Sequence, residues 1–223
     1  MKRRSSALSV SAAAVLAAAA PLLLTGCSTD AHPGAAAVVG GERIALATVQ
    51  SEVEAVRDAQ RDRPEADQLI AASSGLTQER VEFLVYLEVL ERAADDAGVN
   101  VSRRDVQTAR AEAERNLGGA DALAQAALMP ASGATPLAGD EQIDQMLRSQ
   151  LLFQGLAERL GVTPDAAGVQ RIATVLATTA EEIGVDVNPR FGEWDAEQVM
   201  LTDATEPWLR AASGEQAAVT LGG

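Results

Sequence analysis

Val81-Glu82-Phe83-Leu84-Val85-Tyr86-Leu87-Glu88-Val89-Leu90 is apolar at every position except its two glutamates. On a helix these side chains would point to nearly all sides, which is typical of a helix buried at the centre of a helical domain. Thr77 is suited to cap the N-terminus of such a helix, and Gly98 is suited to end it. The sequence therefore predicts a central helix over residues 78–97.

Apolar residues at helical spacing predict further helices on both sides of this one. Val49, Val53 and Val56 fall on one face of a helix over residues 47–62. Pro64 and the Ser73-Ser74-Gly75 segment then mark a connection to the central helix.

C-terminal to the central helix, Ser102 and Asp105 resemble a capping box at the start of a helix over residues 103–117. Residues 130–140, rich in Pro, Gly, Ala and Ser, predict a loop. Three more helices are predicted over residues 120–129, 141–160 and 164–183. The last has Pro164 at its first position and one apolar face made by Val169, Ile172, Leu176 and Ile183.

Short strands are predicted at both ends of the helical region. Ala37–Val39 and Glu42–Ile44 flank Gly40-Gly41, a pair suited to the positive φ angles of a two-residue hairpin turn. Residues 185–195 predict a strand, an Asn-Pro turn and an aromatic pair flanking Gly192. The predicted fold class is mainly α, a domain of about five or six helices closed by short N- and C-terminal β-strands.

Composition excludes several classes of site. The chain has 223 residues, 47% of them hydrophobic, a net charge of −14, one Cys and one His. One Cys cannot form an intrachain disulfide, and a Cys/His zinc site would lack ligands. The acidic charge disfavours nucleic acid. The adjacent residues of Asp95-Asp96 and of Glu181-Glu182 would point to different sides of a helix, so neither pair is suited to general acid/base catalysis. No catalytic residue, metal or cofactor is predicted, and an enzyme is not expected.

The N-terminus has the pattern of an export signal. Lys2-Arg3-Arg4 precedes an apolar run over residues 7–24, and Leu24-Thr25-Gly26-Cys27 resembles a bacterial lipobox. That resemblance implies cleavage after Gly26 and a diacylglyceryl group on the Cys27 thiol. We expect a signal peptide over residues 1–26 and a lipidated Cys27 followed by a flexible tether to residue 36, with His32 in this tether.

This reading places the protein at the outer face of the cytoplasmic membrane, held there by lipid. It also predicts a folded domain over residues 37–210, with Trp208 near its end, and a disordered tail over residues 211–223.

Both ends of the predicted domain resemble a known module. The opening Ala37–Ile44, followed by a helix, is similar to the start of the SurA and PrsA foldases. The closing segment Val187-Asn188-Pro189-Arg190-Phe191-Gly192-Glu193-Trp194 resembles the end of their N-terminal chaperone module, where the last strand returns beside the first. The resemblance spans roughly residues 37–195 and implies a chaperone-like role, with Asn188, Pro189, Arg190, Phe191, Gly192 and Trp194 as its closing motif.

The chain departs from those foldases in one respect. They carry a parvulin prolyl-isomerase domain between helices, and Leu160–Pro164 leaves no room for one here. We therefore expect a lipoprotein that binds unfolded or secreted polypeptides as a holdase, without isomerase activity. Candidate peptide-binding residues are Met146, Leu147, Leu151 and Phe153, with Leu128 and Met129 beside them.

Two alternatives stay open. The same apolar residues at helical spacing are also expected of a closed hydrophobic core. A helical lipoprotein of this kind is also suited to act as a structural or adaptor protein that holds one cell-envelope partner.

Overall fold

The structure is a computed structural model that describes residues 33–130, 134–163 and 165–202, all within the unit His32–Gly223. The described part is mainly α, as predicted, and contains seven α-helices and five short strands. The helices are α1 (Leu46–Arg61), α2 (Ala66–Ala72), α3 (Leu76–Asp96), α4 (Arg103–Leu117), α5 (Ala120–Leu128), α6 (Gly139–Leu160) and α7 (Ala166–Ile183). The strands are β1 (Ala35–Val39), β2 (Glu42–Ala45), β3 (Val185–Val187), β4 (Glu193–Asp195) and β5 (Met200–Thr202).

Helix α3 is the central element, as its apolar stretch predicts. It packs against α1, α6, α7 and β1, and Val81, Val85 and Leu90 are fully buried. Its start differs from the prediction, because Thr77 lies inside the helix and Gly75 is the N-cap residue. The reason is Leu76, which is buried against Val56 and Leu128 and so belongs to the packed helix.

The opening hairpin is confirmed. Strands β1 and β2 pair antiparallel around Gly40 and Gly41, whose φ angles are +58° and +87°. Strand β3 pairs antiparallel with the other edge of β1, so the sheet has the order β2-β1-β3 and the chain returns to its first strand. Strand β1 begins earlier than predicted, since Ala35 and Ala36 are fully buried in the sheet rather than part of the tether.

The closing segment forms a tight turn held to β1. The side-chain Nδ2 of Asn188 donates to the Ala35 carbonyl oxygen at 3.2 Å, next to a register shift in β1. The side-chain oxygen of Asn188 accepts from the Arg190 N–H and so caps the 3-10 turn Pro189–Phe191. Gly192 has a φ of +127°, and a Cβ at this position would lie 2.4 Å from the Thr202 carbonyl oxygen. The segment thus needs glycine both for its backbone angle and for the approach of β5.

Three further features differ from the sequence expectations. Residues 66–72 form α2, where only a connection was predicted. Asp165 caps α7 by accepting from the Gly168 N–H at 2.8 Å, and the predicted role of Pro164 lies outside the described residues. Val169 is 50% exposed, so the buried side of the first turn of α7 contains Gly168, where a Cβ would lie 1.9 Å from the Thr163 carbonyl oxygen, and not Val169.

Helix α4 matches its predicted bounds. The Ser102 hydroxyl accepts from the Asp105 N–H, and the Asp105 carboxylate accepts from the Ser102 N–H at 2.8 Å, which completes the capping box. The Ser102 hydroxyl also donates to the Asp105 carboxylate at 2.6 Å, and this hydrogen bond, together with the one from the Ser102 N–H, holds the pKa of Asp105 below its usual value. None of the helices in the described part of the chain combines the length and apolarity needed to cross a membrane.

Candidate functional site

An apolar groove opens between helices α4, α5 and α6, and four described residues between α5 and α6 also line it, namely Pro130, Ala134, Thr135 and Leu137. Its volume is about 550 Å³, within the range of ligand-binding clefts. The N-terminal part of α3 forms one wall of this groove. We call the whole groove the α4–α6 groove. Its larger apolar lining side chains are Phe83, Leu117, Leu123, Leu137, Met146 and Leu147. Pro130 and several alanines also line it, together with the polar residues Thr135 and Gln150.

The floor of the groove is part of a hydrophobic cluster, whereas its rim is open. Leu123 and Leu147 are buried together with Val106 and Ile143. Leu117, at the C-terminal end of α4, is 47% exposed, which is unusual for a large apolar side chain in this fold. An apolar rim above a packed floor is typical of a surface that binds another apolar molecule.

The structure brings together two of the four candidate residues proposed from the sequence. Met146 and Leu147 line the α4–α6 groove. Leu151 packs against the cluster beneath it, and Phe153 packs against the main core on another face of α6. Leu128 is buried in a third cluster with Val56 and Leu76, and Met129 packs against that cluster.

One charged side chain, Arg80, also forms part of the groove wall. Arg80 is 1% exposed, and its Nε lies 2.5 Å from Glu52 Oε2 on α1. Its Nη2 donates to the Gln145 side-chain oxygen on α6, and Gln145 Nε2 donates to Glu52 Oε1 at 3.3 Å. Three helices are thereby joined by a closed ring of hydrogen bonds. The guanidinium also stacks over Phe83, 4.9 Å from the ring centroid.

Sequence reasoning missed Arg80, although the chain carries a signal for it. Arg80, Leu84 and Leu87 are spaced i, i+4 and i+7, so the arginine occupies a position on the apolar face of α3. A cation at such a position is buried and needs a partner. The sequence does not reveal that partner, because Glu52 and Gln145 come from helices far away along the chain.

The aromatic residues of the closing motif pack in the main hydrophobic core. Phe191 is buried in the main core, and Trp194 packs against the same cluster from β4. The Arg190 guanidinium stacks on Phe191, 4.9 Å from the ring centroid. This packing holds the C-terminal strands against α3 and β1. None of these three residues lines the α4–α6 groove.

Other depressions in the described part are more polar. One of about 530 Å³ is lined by charged side chains that include Arg103, Asp144 and Arg148. At the far end of α3, burial raises the pKa of Glu88, and the negative charges of Glu91 and Glu42 raise it further. Among the described residues, no group of three or more His, Cys, Asp or Glu side chains is arranged to hold a metal ion. The α4–α6 groove is therefore the candidate site.

Comparison with known protein families agrees with the resemblance of Ala37–Ile44 and the helix after it to the start of the SurA and PrsA foldases. The family described as the SurA-like N-terminal domain matches residues 1–152. The matched region contains the hairpin, α1 to α5 and the wall of the groove on α6, and it stops before the closing motif. No curated protein and no solved structure shows significant similarity to the chain. Since the match covers more than half of its residues, the chain belongs to the family of SurA-like N-terminal domains, which are chaperone modules.

Proposed function

We propose that this protein is a lipid-anchored extracytoplasmic holdase that binds unfolded or secreted polypeptides without isomerising them. The observation that carries the proposal is the α4–α6 groove, an open apolar surface in a member of a chaperone family. Met146 supplies a flexible, polarisable side chain that adapts to different apolar partners. The net charge of −14 favours solubility despite the exposed apolar rim.

The absence of isomerase activity is part of the proposal. Helix α6 ends at Leu160 and α7 begins at Ala166, so these two helices follow one another with only a short connection. Gly161 ends α6 with a φ of +62°, which turns the chain directly toward α7. A chain of this layout binds its clients without a parvulin domain between these helices.

The holdase activity is tested by light scattering of an aggregating client protein in the presence of residues 28–223. We expect suppression that rises with dose and approaches completion near equimolar concentration. A folded protein that leaves aggregation unchanged contradicts the holdase. Crosslinking in the cell envelope that then recovers one dominant partner supports the adaptor alternative.

Substitution of Leu117 tests whether the groove binds the clients. Because Leu117 is half exposed, Leu117→Gln removes apolar surface from the rim at little cost to folding. Loss of one buried leucine contact corresponds to about 1.5 kcal/mol, or roughly tenfold weaker client binding. The matched control is Val169→Gln, which alters an equally exposed apolar residue on α7 outside the groove. Equal loss in both variants would contradict binding at the groove.

Membrane anchoring is proposed to depend on Cys27, which lies outside the described residues. Two acyl chains on this residue suffice for stable attachment. In a bacterial host, Cys27→Ala is expected to abolish labelling by a radioactive fatty acid and to leave the signal peptide uncleaved, which a slower-migrating band on a gel would reveal. Ser28→Ala serves as the control. A labelled Cys27→Ala protein would exclude this residue as the lipidation site.

A further inference from the structure

The last described residue, Thr202, lies beside the first turns of α3. A Cβ at Gly192 would clash with the Thr202 carbonyl oxygen and would lie 3.5 Å from Gln78 Nε2 on α3. One residue earlier, the Leu201 N–H donates to Glu82 Oε2 at 3.3 Å. Strand β5 therefore leads the chain onto the N-terminal half of α3.

A second cavity opens beside the same part of α3. Its volume is about 300 Å³, at the lower end of the range of ligand-binding clefts, which suits one large side chain. Glu79, the residue after Gln78, is its contribution from α3. We call this cavity the α2–α3 pocket, and its other lining residues are Gln60, Leu69, Ala72, Ser73, Leu128, Met129, Pro130, Ala134 and Pro136.

We propose that the segment after β5 folds back along α3 and inserts Trp208 into the α2–α3 pocket. Residues 203–209 end in Pro207-Trp208-Leu209, which places two large apolar side chains next to each other. The chain from Thr202 to Trp208 spans about 20 Å when extended. A helix with its side chains is about 10–12 Å wide, so this length suffices to pass around α3. The inference does not depend on the holdase activity.

The pocket offers both kinds of contact that an indole ring needs. Leu69, Leu128 and Met129 supply apolar surface. Glu79 is partly buried, and within the described part of the chain no residue donates a hydrogen bond to its carboxylate. The N–H of a buried tryptophan usually finds an acceptor. The Glu79 carboxylate is therefore the acceptor for the indole N–H of Trp208.

A segment docked in this pocket leaves the candidate site open. The α2–α3 pocket and the α4–α6 groove share only Pro130 and Ala134 among their lining residues. The docked segment thus lies on the other side of this shared wall from the groove. The folded domain then extends beyond β5 without closing the surface that is proposed to bind clients.

Tryptophan fluorescence of residues 28–223 tests the inference, because Trp194 and Trp208 are the two tryptophans of the chain. In a Trp194→Phe background, the emission and its quenching by acrylamide report Trp208 alone. If that background does not fold, the native signal minus that of Trp208→Phe gives the same quantity. A peptide of residues 203–210 with blocked ends is the fully exposed reference.

Three exposed alanines allow matched substitutions in this background. Ala72→Phe places a ring in the α2–α3 pocket. Ala71→Phe adds the same ring on the same helix outside the pocket, and Ala126→Phe adds it to the α4–α6 groove. Circular dichroism establishes that each variant is folded.

We expect the quenching constant of Trp208 to be several-fold lower in the folded protein than in the peptide, with emission at a shorter wavelength. Ala72→Phe is expected to raise the constant close to the value of the peptide. Ala71→Phe and Ala126→Phe are expected to leave it unchanged.

Three results would overturn the inference. The first is quenching in the folded protein equal to that of the peptide. The second is exposure of Trp208 by Ala126→Phe instead of Ala72→Phe, which would place the segment in the α4–α6 groove. The third is shielding that disappears on dilution, which would identify a second copy of the chain as the partner of the segment.

Discussion

Replacing Arg80 with methionine alone is expected to destabilise the fold by about 3–5 kcal/mol. The substitution removes the cation but leaves Glu52 buried, with a side chain that is only 8% exposed. It also deprives Gln145 of a donor and so opens the ring that joins α1, α3 and α6. Guanidinium denaturation of residues 28–223, followed by far-UV circular dichroism, measures the change in the free energy of unfolding.

Two companion variants define the cause. In Arg80→Met/Glu52→Gln the charge is removed with its partner, and most of the lost stability is expected to return, because the penalty arises from the unpaired carboxylate. Arg92→Met breaks an ion pair of 3.0 Å with Asp96, whose side chains are more than half exposed, and is expected to cost less than about 1 kcal/mol. If the Arg80 and Arg92 variants lose equal stability, burial of the Glu52–Arg80 pair is not what holds the three helices.

Replacing Leu90 with alanine is expected to cost about 2–5 kcal/mol, since the leucine is fully buried at the centre of α3. The loss combines the transfer of its methyl groups to water with the cavity left among the packed helices. Thermal unfolding, followed by circular dichroism, provides the measurement.

The same substitution at Leu117 supplies the control for Leu90. Leu117 is half exposed, and Leu117→Ala is expected to change stability by less than about 0.5 kcal/mol. A small effect at Leu90 would show that α3 is not the central packed element. A large effect at Leu117 would show that the rim of the α4–α6 groove is closed by packing.

Local signals predicted the elements whose boundaries are made by neighbouring residues. The bounds of α4 follow from the capping box of Ser102 and Asp105 and from the left-handed Gly118 at its end. The opening hairpin follows from Gly40-Gly41. In each case the deciding hydrogen bond or backbone angle involves residues within a few positions of one another.

Helix α2 was missed because distant contacts hold it. It contributes no fully buried side chain of its own, so no apolar periodicity marks it. Instead the Arg57 guanidinium donates to the Ser73 hydroxyl at 2.7 Å, and Gln60 Nε2 donates to the same hydroxyl at 3.0 Å. These bonds tie α1 to the residue that ends α2, and no pattern within residues 66–72 predicts them.

The candidate site was predicted only in part, for a similar reason. Helix α6 carries a broad apolar face, and its periodicity correctly placed Met146 and Leu147 among apolar surroundings. Periodicity does not distinguish these residues from Phe153, because all of them are apolar at helical spacing. Which part of the face becomes the groove and which part becomes core depends on where α4 and α3 pack against α6.

The sequence alone determined the mainly α class, the central position of α3 and the opening hairpin, because these depend on local propensity and on the spacing of apolar residues. The resemblance of the two ends already implied that the last strand returns beside the first, as β3 does beside β1. Only the tertiary structure decided that Arg80 meets Glu52 and Gln145, and that a groove stays open beside them. Those features join residues far apart in the chain. Their partners are selected by the packing of whole helices, which no short stretch of sequence encodes.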